Sequence, residues 1–135
     1  MKNNFVHRPI EFRVWDKERQ AFCVTDMLEF GCIFNLKNGV LDLKNGKEYY
    51  IFQQLTGLLD KNGKEIFEGD IIKCNFPDFG CDKEKFQLEV VYSSNTASFG
   101  VIILMENGDF YSLSELDWRN FEVVGNVFEN PELLK

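Results

Sequence analysis

The sequence predicts an all-β domain: a small, SH3-like barrel-type meander of short strands with one or two short helical turns near the C-terminus. Three observations point there. Asn-Gly pairs recur at Asn38-Gly39, Asn45-Gly46, Asn62-Gly63 and Asn107-Gly108, and both residue types tolerate the positive φ of a type I′ hairpin turn. The segments between them are short and either apolar or alternating, as strands require. Aromatic residues make up 15% of the 135-residue chain, which is 44% apolar overall. That is enough apolar area to offset ordering entropy and fill one core. A single domain over residues 1–135 follows, with residues 1–8 as a flexible terminus.

Taken in order, Ile10, Phe12 and Val14 share one face of a first strand, and Glu11 and Arg13 point the other way. A charged turn at Asp16 to Arg19 leads to a second arm, from Gln20 to Thr25. A second hairpin joins residues 33–36 to residues 40–43 across Asn38-Gly39. After Asn45-Gly46, the run Tyr49 to Gln54 has strong β propensity. Residues 55–64 read as a loop and a tight turn, followed by a short segment at Glu65-Ile66-Phe67. A corner at Gly69-Asp70 opens a further strand, a step common at strand entries in small SH3-like barrels. Residues 76–85 are polar, carry Pro77 and Gly80, and read as a mobile loop. Strands then follow from Phe86 to Tyr92, Phe99 to Met105 and Phe110 to Leu113. One helical turn is expected at residues 114–118, capped by Ser112 or Ser114, and a last strand from Phe121 to Phe128. Pro131 suits a first helical position, with Asn130 as its cap.

Lys and Arg number 15 and Asp and Glu 22, for a net charge of −7. Such a balance repels phosphate backbones, and acidic neighbours interrupt the basic residues Lys83 and Lys85. A basic protein surface is the easier partner. No run approaches the ~20 apolar residues of a membrane span, and the first residues lack the apolar stretch of a secretory signal. The expected compartment is the bacterial cytoplasm, where Cys23, Cys32, Cys74 and Cys81 stay as free thiols.

The candidate chemistries fall to blander explanations. Zinc sites pair ligands at close spacing, whereas eight residues separate Cys23 from Cys32 and six separate Cys74 from Cys81. His7 is the single histidine and lies in the terminal segment, so a Ser-His or Cys-His nucleophile has little to rest on. Glu65, Glu68 and Asp70 could hold a cation or work as an acid–base pair. A cation needs more converging oxygens, and the structural alternative has Asp70 fixing the Gly69 corner while Glu65 and Glu68 stay solvated. Asp60 to Gly63 lacks the alternating acids of a calcium loop, and a hairpin turn explains it. No metal or cofactor is therefore expected. Phe76 and Phe79, in the loop, are the candidate contacts for a partner or sister subunit. Trp15 and Trp118 belong in or beside the core.

Three stretches carry a family likeness: residues 10–16 (Ile10 to Asp16), residues 54–72 (Gln54 to Ile72) and residues 124–134 (Val124 to Leu134). Trp15, Gly57, Gly63, Gly69, Asp70 and Gly125 are its structural positions. In this order they resemble the YopX family of phage and prophage proteins. The resemblance implies a largely β-stranded fold, a phage or prophage of a Gram-positive host, and a tendency to self-associate. It brings no catalytic residue with it. The expected function is that of a non-catalytic accessory protein that binds a host or phage protein or assembles with itself. A nucleic-acid-associated small barrel is the alternative, and an enzyme of unrecognised type comes third.

Overall fold

The computed structural model describes residues 10–23, 40–43, 47–74, 86–103, 108–116 and 120–134. Their strands are β1 (Phe12–Asp16), β2 (Ala21–Phe22), β3 (Val40–Leu43), β4 (Lys47–Leu59), β5 (Glu65–Phe67) and β6 (Asp70–Cys74). After these come β7 (Phe86–Glu89), β8 (Val91–Ser93), β9 (Ser98–Ile103), β10 (Asp109–Ser112) and β11 (Glu122–Asn126). Two short 3-10 turns, Leu113–Glu115 and Pro131–Leu134, complete the described elements. The strands form three curled antiparallel sheets, ordered β2-β1-β4-β3 with β5 on β4, β10-β9-β8, and β11-β6-β7. Together they make a half-barrel.

Hairpin neighbours supply part of the pairing, and distant segments the rest. β1 lies along the middle of β4 (Phe12↔Gln54 to Asp16↔Tyr50), and β11 closes on β6 (Glu122↔Lys73 to Asn126↔Asp70). The core gathers between the sheets: Ile66, Ile72, Cys74, Val90, Val101, Ile103, Leu113 and Phe121 are all buried, with Leu58, Leu88 and Val123 packed around them. Each large apolar side chain buried there stabilises by about 1.5–3 kcal/mol.

Several expectations are corrected. Residues 55–59 do not form a loop, because β4 continues to Leu59 through an irregularity. Thr56 Oγ1 donates to the Ile66 carbonyl and accepts from the Leu58 N–H, which carries the strand through a local bend at 2.7 and 3.1 Å. The run from Phe86 to Tyr92 is two strands in two sheets, broken at Val90. There the Val90 N–H bonds the Asp70 carbonyl and the Gly69 N–H bonds the Val90 carbonyl, so the β6 corner bends the chain from one sheet into the next. In the Asn62-Gly63 turn only Gly63 has positive φ, so the turn is not type I′. Asp60 organises it instead. Ile10, ahead of β1, and Phe12 are exposed, while Arg13 and Trp15 turn inward.

The helical turn after β10 starts one residue earlier than expected, with Ser112 as its cap. His7, Cys32, Cys81, Trp118, Asn107, the first two Asn-Gly turns and the loop with Phe76, Phe79, Lys83 and Lys85 lie outside the described residues.

Candidate functional site

The polar centre of the fold is built on Arg13. Its position on β1, on the same side as Trp15, aims it across β4 at the Gly69 corner. The guanidinium pairs with Asp70 at 2.7 Å, donates to Gln53 Oε1 at 2.8 Å and reaches the Glu68 carbonyl at 3.3 Å. It is also held between the rings of Phe22 and Phe67, 4.8 and 4.9 Å from their centroids. The other oxygen of Asp70 accepts the Phe67 N–H at 2.8 Å. Burial pushes the Asp70 carboxyl above its usual range, and the Phe67 N–H and Arg13 pull it back only in part. Gly69 has φ +81°, and a Cβ there would run into the Gln53 side chain. Trp15 stacks on Phe128 at 4.9 Å and meets Phe22 edge-on at 5.0 Å, so the N-terminal strand, the corner and the C-terminal turn lock together.

Two further side chains tie turns to strands. Buried Asp60 accepts the N–H groups of Asn62 and Lys64 on one oxygen and that of Val123 on the other, at 2.8, 2.9 and 3.0 Å. Desolvation raises the affinity of its carboxyl for a proton, but the three N–H groups outweigh this and its pKa is lowered. Asn126 accepts from Phe128 and Glu129. Asn130 Oδ1 accepts the Asn126 N–H and occupies the space a Cβ at Gly125 would need. Every buried side-chain polar atom among the described residues has a hydrogen-bond partner. This network consumes its donors and acceptors in holding the fold.

Of the expected structural positions, Asp70 pairs with Arg13 beside Gly69, Trp15 stacks on Phe128, Gly125 packs on Asn130, and Gly57 and Gly63 take positive φ in β4 and its turn. Glu65 is exposed, whereas Glu68 is half-buried, contrary to the expectation that both are solvated. Sequence reasoning missed Arg13 and Glu89. Arg13 could have been found, since a charged residue sharing a strand face with Trp15 requires an acidic partner. Cys23 and Cys74 are free thiols, and burial pushes the Cys74 thiol up to about 12. Among the described residues no group of three or more His, Cys, Asp or Glu side chains could hold a metal ion, and no helix is long and apolar enough to cross a membrane.

Two hollows lie at the surface of the described residues. One, of about 300 Å³, lies between β4, the Gly69 corner, the β7–β8 junction and the turn at Val127 and Phe128. The other is a groove of about 380 Å³ lined by residues of β7 and β9 and by Leu134. Phe86, Leu88, Val91, Ile102 and Ile103 line it, and Ile102 and Leu134 are 43% and 41% exposed.

A search of curated proteins finds no match. Among solved structures the chain is similar to the crystal structure of protein EF1440 from Enterococcus faecalis, at 25% identity and a TM-score of 0.61. The likeness covers 94% of this chain and 99% of that one. The model of the YopX protein family matches residues 11–135, taking in the Arg13–Asp70 junction, the Asp60 turn and the Asn126–Asn130 lock, and the chain belongs to the YopX family.

Proposed function

We propose that the protein is a phage or prophage accessory protein of the bacterial cytoplasm that acts without catalysis, by binding a protein partner, a second copy of itself being the first candidate. The β7–β9 groove is the observation that carries this reading. It is concave and apolar, and exposed Ile102 and Leu134 sit on it. Covering such a surface returns about 25 cal/mol per Å². The flanking strands help, since among the described residues β7 pairs with β6 alone in its sheet and an extended segment could add to its other edge. The free thiols of Cys23 and Cys74 accord with a reducing compartment.

Light scattering at low and high salt, with reductant, tests the reading. The expected result is a mass that is a defined multiple of 15.8 kDa. It should persist or grow with salt, because copies carrying −7 each repel less when screened. Ile102→Ser with Leu134→Ser should reduce the mass to that of one chain. A monomer at every concentration, or an assembly indifferent to the double substitution, would remove the groove as a self-association surface.

A further inference from the structure

We propose that the 300 Å³ hollow beside the Gly69 corner receives the side-chain cation of an arginine or lysine presented by a protein partner with a basic surface. The proposal rests on the binding reading above, and Glu89 and Val91 border both hollows, which sets the two surfaces side by side.

The chemistry of the walls selects the occupant. Phe52, Tyr92 and Phe128 supply aromatic surface, and Glu68 and Glu89 supply two carboxylates. A cation on an apolar stem matches both, through ring faces and charge-assisted hydrogen bonds. The volume is at the small end of ligand cavities, which run from about 300 to 1,000 Å³; it suits a single side chain. Glu68 and Glu89 border the same hollow, and among the described residues neither makes an ion pair; Glu68 Oε2 accepts the Gln54 N–H at 3.4 Å. Burial, and then the charge of Glu68, push the Glu89 carboxyl above its usual range. Arg13 makes its ion pair with Asp70 and its further bonds with Gln53 and the Glu68 carbonyl, and with neither glutamate carboxylate. Two like charges on a half-buried wall work against folding and favour whatever brings a positive charge between them. A divalent ion would want six or more oxygens, which these walls lack. The overall charge of −7 favours a basic partner surface over another acidic one.

The test is an NMR titration of the full chain with four probes: the blocked tripeptides Gly-Arg-Gly, Gly-Lys-Gly and Gly-norleucine-Gly, and spermidine. The arginine and lysine peptides should shift the amides of Val91, Tyr92 and Val127 saturably, with norleucine at least tenfold weaker. Glu89→Gln and Glu68→Gln should each weaken the cationic peptides about tenfold. Glu89→Gln should also leave Tm unchanged or raise it by a few degrees, because it relieves the like-charge pair. Equal binding of the norleucine peptide, or full binding by Glu89→Gln, overturns the proposal. So do shifts spread over the whole acidic surface, or saturation by spermidine alone. Loss of the cation peptides with a normal oligomeric mass would sink this proposal and leave the groove standing; the reverse pattern would sink the groove instead.

Discussion

Removing the Arg13 side chain is the sharpest test of what holds this fold together. Asp70 is 3% exposed at its side chain and Arg13 is 21% exposed, so Arg13→Met strands a carboxylate in the interior. Breaking a buried pair in this way costs about 3–5 kcal/mol. The partial exposure of Arg13 argues for the lower end, about 3 kcal/mol, out of a total stability of about 5–15 kcal/mol. Asp70→Asn is milder at about 1–2 kcal/mol, because an amide oxygen can still accept the Phe67 N–H and Arg13 keeps Gln53 and the Glu68 carbonyl. The double variant should cost no more than Arg13→Met alone, giving a coupling of about 1–3 kcal/mol. Urea unfolding of the four proteins reads this directly. The pH dependence gives a second check. Without Arg13 the Asp70 pKa rises further, so the penalty is present above that pKa and disappears as pH falls through it. The gap between Arg13→Met and wild type should therefore narrow as pH falls through the raised Asp70 pKa of the variant. Additive single effects, or a gap that does not change with pH, would refute the pairing as the organising contact.

Other substitutions probe the remaining locks. Asp60→Ala removes one acceptor for three N–H groups and should cost about 2–3 kcal/mol at pH 7. Because the folded pKa of Asp60 is lowered, its contribution exists above the unfolded value of about 3.9 and is lost as pH falls through the folded one. Urea midpoints for wild type and variant should converge as pH falls through the lowered folded pKa. Gly69→Ala and Gly63→Ala share the cost of a positive φ, about 1–2 kcal/mol. Only Gly69→Ala also collides with Gln53, Gly63 having open space, so equal melting temperatures would contradict the tight corner. The Cys74 thiol, at about 12, should react with a thiol reagent at pH 8 roughly a thousandfold more slowly than an ordinary cysteine. Peptide mapping that found it labelled within minutes in the folded protein would contradict its burial.

Local chemistry was legible and long-range pairing was not. Asn62-Gly63, the Gly69-Asp70 step and the alternation in β1 each follow from a few adjacent residues, and they led to an all-β barrel-like fold. The face of β1 was harder to read. Ile10, Phe12 and Val14 make the more apolar side, yet Ile10 is 74% exposed and the inward side carries Arg13. Burying a guanidinium becomes favourable only once β4 brings Gln53 beside it and the corner brings Asp70, partners 40 and 57 residues away that no local period contains. The break at Val90 was hidden for the same reason. Nothing in residues 86–92 interrupts the strand pattern, because the bend comes from backbone bonds to Gly69 and Asp70. Asp60 was recognised as a turn residue, and its hold on Val123 was beyond sequence for want of any signal pairing residues 63 apart.

That division bears on where function lies. The stretches that carry the family likeness supply Arg13, Asp60, Gly69, Asp70, Asn126 and Asn130, and each is consumed in a contact that fixes one segment against another. Side chains spent that way have little left to offer a ligand. Glu89, Tyr92 and Ile102 come from the intervening β7–β9 stretch and line the two hollows, joined by Glu68 at the corner and Leu134 at the end. Substitutions in the two groups should therefore fail differently. Changes at Arg13, Asp60 or Gly69 should lower the urea midpoint and lose binding only in proportion to the unfolded fraction. Changes at Glu89 or Ile102 should abolish a contact while the midpoint holds or rises. If Glu89→Gln and Ile102→Ser instead destabilise as much as Asp60→Ala, the β7–β9 surface belongs to the core, and a partner must be sought elsewhere on the molecule.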